Sequence, residues 1–371
     1  MTTTSAESRS PEQLQHIVDA VRSRFIVTQE YIREGASLEF FIDPSQQDTK
    51  TKFLSLLQEL NKTGDLAALK KSDHGLYLVV FRRPVYKQSR SLLPFVLLVA
   101  TITTVTIDGY YRASAFGVSS SEVALQTAGL YALCLVGIIG IHEMGHKVAS
   151  WYHRMNSSWP YFIPGIPTLL PTFGAVISAR DPPPNRDSLF DLGLSGPIAG
   201  LIATIAVSII AVASSTISHL GSPPPGAVPL DIYTSWLVTL LKPGSSNGAL
   251  VSGTTFSVLY FAYSLGFLIT FVNLLPAWQL DGGHISNAMV SPRVHKYLTY
   301  VSVLIMILTN FIGMAILVLI FSSMAPSLRP LDDVSPLSRN RKIVWVLTWV
   351  LSAAIYFLDI FNNLYFGGSL L

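Results

Sequence analysis

The sequence predicts a mainly α-helical polytopic membrane protein. It has about six transmembrane helices, a small N-terminal α+β domain, and a membrane-dipping β-hairpin loop between helices. Composition is the first observation: half of the 371 residues are hydrophobic and only 13% are charged, against about 25% charged in a soluble domain. The second is that the apolar residues gather in runs near the roughly 20 residues that cross a hydrocarbon core. Third, the first 87 residues lack such runs and carry short helix and strand patterns instead. The expected units are therefore 1–87, a membrane core over 88–322, and a linker with a last helix over 323–371. The net charge of +3 is spread thinly, so no nucleic-acid partner is expected. Cys134 is the single cysteine, which excludes an intrachain disulfide and a cysteine-based zinc site.

In the N-terminal unit, Pro11 opens an amphipathic helix with Leu14, Val18, Val21 and Phe25 on one side. Ser37–Asp43 reads as a strand, Thr49–Lys62 as a second helix, and Gly75–Phe81 as a second strand. No ligand motif lies in this stretch.

The apolar segments run over Leu92–Ile107, Val123–Trp151, Leu192–Ile217, Thr254–Leu275, Tyr297–Ser322 and Ile343–Phe366. Arg82, Arg83, Lys87 and Arg90 precede the first, which puts the N-terminal unit on the cytoplasmic side. Six crossings then put the 147–191 loop and the 276–296 stretch on that side too. Lys147, Arg154, Arg180, Arg186, Arg293 and Lys296 agree. The 323–342 loop would lie opposite, and its Arg329, Arg339, Arg341 and Lys342 violate the charge rule.

The stretch from Trp159 to Asp187 carries Pro160, Pro164, Pro167 and Pro171, which exclude a regular helix. It is nevertheless rich in Tyr161, Phe162, Ile163, Ile166, Leu169, Leu170 and Phe173. Gly174–Ala179 reads as a strand, so a membrane-dipping hairpin with one open edge is expected. Such an edge, with Gly174 and Val176 on it, can add a strand from an extended peptide; plain packing against the helices is the alternative. Further on, Gly193, Gly196 and Gly200 form a small-residue face that a neighbouring helix approaches closely, with Pro197 expected to kink it.

The chemistry centres on His142-Glu143-Met144-Gly145-His146 within the second apolar segment. Positions i and i+4 of a helix share one face, so both imidazoles can reach one ion. Glu143 lies beside that ion, positioned to accept a proton from a water the ion activates. A glutamate at the bilayer centre costs about 2.5–3.5 kcal/mol on the insertion scale, so its presence there points to a buried polar site.

A catalytic zinc site needs a third protein ligand. Asn273-Leu274-Leu275-Pro276-Ala277-Trp278-Gln279-Leu280-Asp281-Gly282-Gly283-His284 supplies the candidates. Pro276 ends a helix and two glycines allow a tight turn beside Asp281, a carboxylate expected in unwound backbone. On chemistry alone His284 competes as the ligand, and helix capping competes as the role of Asp281.

The pair H-E-x-x-H and N-x-x-P-x-x-x-L-D-G on two membrane helices resembles the site-2 protease family of intramembrane zinc metalloproteases. The resemblance takes in Gly174–Ile177 and Ser195–Gly200 and covers roughly residues 90–290. Pro184-Asn185-Arg186 looks most like the archaeal and plastid branch, which suggests an archaeal cell membrane or, as the alternative, a plastid one. By this resemblance Zn2+ is the cofactor, Asp281 its third ligand beside His142 and His146, Glu143 the catalytic base, and Asn273 a holder of substrate backbone. It further implies cleavage, near the cytoplasmic side, of a single-span membrane-protein substrate that another protease can trim first. The chain departs from bacterial relatives in leaving no room for PDZ domains between the motifs, and no nucleotide-sensing module follows the core. A metal-binding or metal-transporting membrane protein is the alternative class; it has no need of a base at Glu143.

Overall fold

The structure is a computed structural model and describes residues 9–33, 37–72, 75–84, 92–218, 231–243, 250–252, 254–324 and 328–360. Lys87, Arg90 and the end of the predicted last segment lie outside these residues.

The N-terminal region is a four-stranded antiparallel sheet with two helices. Helix α1 (Pro11–Arg22) starts in a capping box: Ser10 accepts from the Gln13 N–H, and the Gln13 side chain accepts from the Ser10 N–H. Strands β1 (Val27–Arg33) and β2 (Ser37–Ile42) form a hairpin, α2 (Thr49–Leu60) follows, then β3 (Asp65–Ser72) and β4 (Gly75–Arg82). The sheet order is β1-β2-β4-β3, which leaves β3 at an edge. Ile17, Val21, Phe25, Phe40, Phe53, Leu56, Leu69 and Leu78 fill one core between sheet and helices. Sequence patterning missed β1, whose Val-Thr-Gln-Glu-Tyr-Ile-Arg is half polar, and β3, whose Leu-Ala-Ala-Leu run has no period of two.

Helix α3 (Leu93–Ala115) outlasts its predicted end at Ile107, because Asp108 and Arg112 pair one turn apart and can stay in the helix. Helix α4 (Ser121–Tyr152) carries the motif and ends in a Schellman turn: Arg154 has φ 56, and the Met155 N–H donates to the Ser150 carbonyl. The predicted hairpin region forms β5 (Tyr161–Ile166) and β6 (Leu170–Val176), an antiparallel pair. The strand starts earlier than Gly174, and Ala179 makes only an isolated bridge to Ser157. Helix α5 (Arg186–Ser214) begins in a capping box at Asn185 and runs through Pro197.

On the far face, β7 (Thr216–Ser218), α6 (Ile232–Leu241) and β8 (Leu250–Ser252) connect to α7 (Thr254–Leu274). The remaining helices are α8 (Asp281–Met289), α9 (Pro292–Leu308), α10 (Ile312–Met324) and α11 (Arg339–Ile355). Among the described residues, five helices are long and apolar enough to cross a membrane: Leu93–Ala115, Ser121–Tyr152, Arg186–Ser214, Phe256–Leu274 and Arg339–Leu358.

The predicted fifth crossing, Tyr297–Ser322, is not one helix. It breaks at Asn310, where φ is 64 and the Phe311 N–H donates to the Met306 carbonyl, a second Schellman turn. The Asn287 amide donates to the Leu328 carbonyl at 2.5 Å, tying the residues just before α9 to those just after α10. The nine linking residues reach at most about 32 Å, whereas α9 and α10 laid end to end exceed about 45 Å. The two helices therefore double back. This corrects the side assigned to the 323–342 loop, which returns to the face holding the N-terminal sheet.

Contacts fix that arrangement. The Leu69 N–H of β3 donates to Leu331, and the Asp333 N–H donates to Leu69, so the loop extends the sheet at its open edge. Leu331 joins the N-terminal core. Arg341 makes a two-armed pair with Asp191, at 2.7 and 2.5 Å, and also reaches Asp187. Lys50 of α2 pairs with the same Asp187. Arg329 pairs with Asp333, and Arg341 with Asp187 and Asp191, so these two loop residues meet partners on the face of the N-terminal sheet, and the conflict with the charge rule does not arise for them.

Candidate metal centre

Helix α4 presents His142 and His146 one turn apart on the face packed against α5 and α8. Their Nε2 atoms are 3.3 Å apart. Asp281 Oδ2 lies 3.1 Å from His142 Nε2, and Asp281 Oδ1 lies 3.3 Å from His146 Nε2. Glu143 is buried, and its carboxylate falls within 4.8 Å of the two imidazole donors. A tetrahedral zinc ion with bonds of about 2.0–2.1 Å separates its ligand atoms by about 3.3 Å. The three donors stand at that spacing already, so the residues present fit such an ion.

The small residues of α5 form the wall behind the donors. A Cβ on Gly196 would lie 2.1 Å from His146 Nε2, and one on Gly200 would lie 2.9 Å from His142 Nδ1. A Cβ on Gly193 would press on the Asp281 carbonyl and on His284. The neighbour expected to approach this face closely is the motif helix, and the face touches the imidazoles themselves. Gly145 lets the two backbones approach from the other side, since a Cβ there would meet the Ser195 carbonyl at 2.4 Å.

His146 Nδ1 donates to the Leu192 carbonyl at 2.8 Å, which holds the ring with Nε2 turned to the centre. No sequence signal could have found Leu192, because the contact uses its backbone oxygen.

Asp281 is the first residue of α8 and not part of unwound backbone. The unwound piece is 275–280, where Trp278 has φ 41. Its N–H is held by Thr299 Oγ1 at 3.0 Å, and its carbonyl faces His295, so the doubled-back α9 braces the turn. Gly282 and Gly283 are needed for close approach, since a Cβ on either would run into the carbonyls of Leu274 or Trp278. Burial alone would raise the Asp281 carboxyl. The neighbouring His146 and His142 outweigh it and hold the carboxyl below the ordinary carboxylate range. His284, one turn along α8, packs on Gly193. Burial pushes its imidazole down to about 4.

Asn273 is half-buried near the end of α7. Gly174 has φ 88 on β6, and Val176 is exposed at its end, opposite Tyr161. The base of the hairpin is held by Lys147, next in sequence to His146, whose ammonium donates to the Ser157 and Ser158 carbonyls.

Helices of this length around a two-histidine, one-carboxylate centre define a class of membrane protein. The model for peptidase family M50 matches residues 130–318, just over half of the chain, and the chain belongs to that family. This is the family that the paired motifs resemble. Among curated proteins, the chain is 32% identical over 177 residues to probable zinc metalloprotease EGY1, chloroplastic, of Arabidopsis thaliana, covering 44% of this chain and 31% of that one. It is 28% identical over 212 residues to probable zinc metalloprotease EGY2, chloroplastic, of Oryza sativa subsp. indica, covering 55% and 38%. A 22% identical match to probable zinc metalloprotease EGY3, chloroplastic, of the same rice takes in 72% of this chain and 47% of the relative. The chain thus spans about a third of the length of the first relatives it matches. No solved structure matches at a significant level.

Proposed function

We propose that this protein is a zinc metalloendopeptidase that cuts single-span membrane proteins within or near the bilayer. The observation that carries the reading is the convergence of His142, His146 and Asp281 at 3.1–3.3 Å beside the buried Glu143. Membership of family M50 supports it.

His142, His146 and Asp281 would hold the zinc. Bound there, the ion supplies Lewis-acid polarisation and brings the pKa of a water towards 7. Glu143 accepts the proton from the attacking water and returns it to the leaving amine. The Leu192 carbonyl keeps His146 in the tautomer and orientation the site needs. The Gly193–Gly200 face leaves room for the imidazoles and shields them on one side.

The substrate has to be extended where it is cut, because a helix hides its carbonyls in its own hydrogen bonds. The β5–β6 hairpin suits that need. It dips into the bilayer alongside α3, and its open edge with Gly174 and Val176 would add the substrate as a strand. The Asn273 amide would hold substrate backbone on the other side. Units 1–87, 88–322 and 323–371 serve as a peripheral region, the proteolytic core and a closing helix. The N-terminal unit lies on the cytoplasmic side by its basic flank, and the site opens towards the same face.

The test uses purified protein and a synthetic single-span peptide with a central Asn-Pro helix break. Wild type cleaves it; Glu143→Gln and wild type treated with a zinc chelator do not. Cleavage that survives both, or none by zinc-loaded wild type against a panel of such peptides, overturns the reading.

A further inference from the structure

A second charged cluster lies in the helical bundle, away from the metal centre, and the proposed chemistry does not use it. Asp108 of α3 is fully buried. Its Oδ2 accepts from Arg112 Nε at 2.7 Å and from the Tyr131 hydroxyl of α4 at 2.9 Å. Its Oδ1 accepts from the Thr168 N–H at 2.8 Å, in the turn of the β5–β6 hairpin, where Thr168 has φ 70. The Arg112 guanidinium lies 3.3 Å over the Phe261 ring of α7. One carboxylate therefore joins α3, α4 and the hairpin tip, and its cation rests on α7.

Such a group is a costly way to hold helices together, since a buried ion pair is often no more stabilising than apolar packing. What it gives is register. The hairpin has three fixed points along α4 and α3: Lys147 at its base, Phe162 against Gly140 midway, and Asp108 at its tip. The Thr104 hydroxyl adds a bond to the Pro171 carbonyl near the tip. Sliding a strand by one residue would turn its other face to the partner, and every anchor resists that slide.

Resting on the hydrolase reading above, we propose that Asp108 is a positioning residue. It holds the hairpin turn at one depth relative to the motif helix, and so sets which peptide bond of the added strand reaches Glu143.

Asp108→Asn keeps the side-chain shape but cannot serve all three donors, because one end of the amide is itself a donor. Tyr131→Phe removes a single donor and is the milder variant. Two readouts are taken on zinc-loaded protein in the same lipid: hydrogen exchange of amides 162–176, and the cut position in the Asn-Pro peptide by product mass. Exchange in the hairpin should rise about tenfold in Asp108→Asn, the scale expected for one lost charge-assisted hydrogen bond, and less in Tyr131→Phe. The motif-helix amides should not change. The single cut of wild type should spread to neighbouring bonds, with zinc content unaltered. Exchange needs no substrate, so it judges the anchor apart from the hydrolase reading. Folded variants with wild-type hairpin exchange overturn the proposal, as does an unchanged cut position once the hairpin has loosened. A Tyr131→Phe protein that folds where Asp108→Asn does not is held to the same two outcomes.

Discussion

Asp108 and Asp281 are both buried carboxylates among the same helices, yet they are built in opposite ways. Asp108 receives an arginine, a hydroxyl and a backbone N–H, so its acceptor capacity is matched by donors. Among the described residues, Asp281 meets only two imidazole nitrogens, which themselves stand 3.3 Å apart with a glutamate beside them. The first arrangement is complete and fixes geometry. The second gathers three candidate ligand atoms at the spacing that a single zinc ion fits. Burial of charge alone does not mark a catalytic centre; converging acceptors do.

That contrast is sharpened by substitutions, beginning with the largest effect. Glu143→Gln should lower the cleavage rate by about 10²–10⁴-fold, the range for loss of a general base, while metal analysis still finds bound zinc. Loss of zinc with loss of rate would make Glu143 a ligand instead. Next comes Gly196→Ala, whose methyl would sit 2.1 Å from His146 Nε2. Zinc affinity should fall about 10–100-fold, as when a ligand loses its orientation. Gly200→Ala, with its closest approach at 2.9 Å, should cost less, and a competing chelator measures both.

Val176→Pro removes one N–H from the end of β6. It should raise KM about 3–10-fold with zinc content unchanged if that edge receives substrate. No kinetic effect would return the hairpin to plain packing. The smallest effect is expected of Arg341→Ala. It breaks the pairs to Asp191 and Asp187 and should lower the thermal midpoint by a few degrees while leaving zinc bound.

The motif helix, the segment that carries Asp281 and the glycine face were legible because each depends on spacing: i and i+4 for the histidines, Pro276 before Asp281, and small residues at 193, 196 and 200; the choice of Asp281 over His284 came from the family resemblance alone. The doubled-back α9–α10 pair was not. Its apolar run is long enough to span, and the break rests on one asparagine in a left-handed turn, which hydropathy does not register. The misplaced 323–342 loop followed from that single miscount. Strands β1 and β3 were hidden because their neighbours in the sheet, and not their own alternation, hold them. Asp108 was passed over at the edge of an apolar run, since its three partners come from residues 112, 131 and 168.

The central claim is that His142, His146 and Asp281 hold one zinc ion and that His284 does not. Zinc content per chain, measured on Asp281→Ala and His284→Ala purified in the same lipid, tests it most directly. Asp281→Ala should lose the metal, and His284→Ala should retain about one ion per chain. Metal lost from His284→Ala and kept in Asp281→Ala would contradict the account.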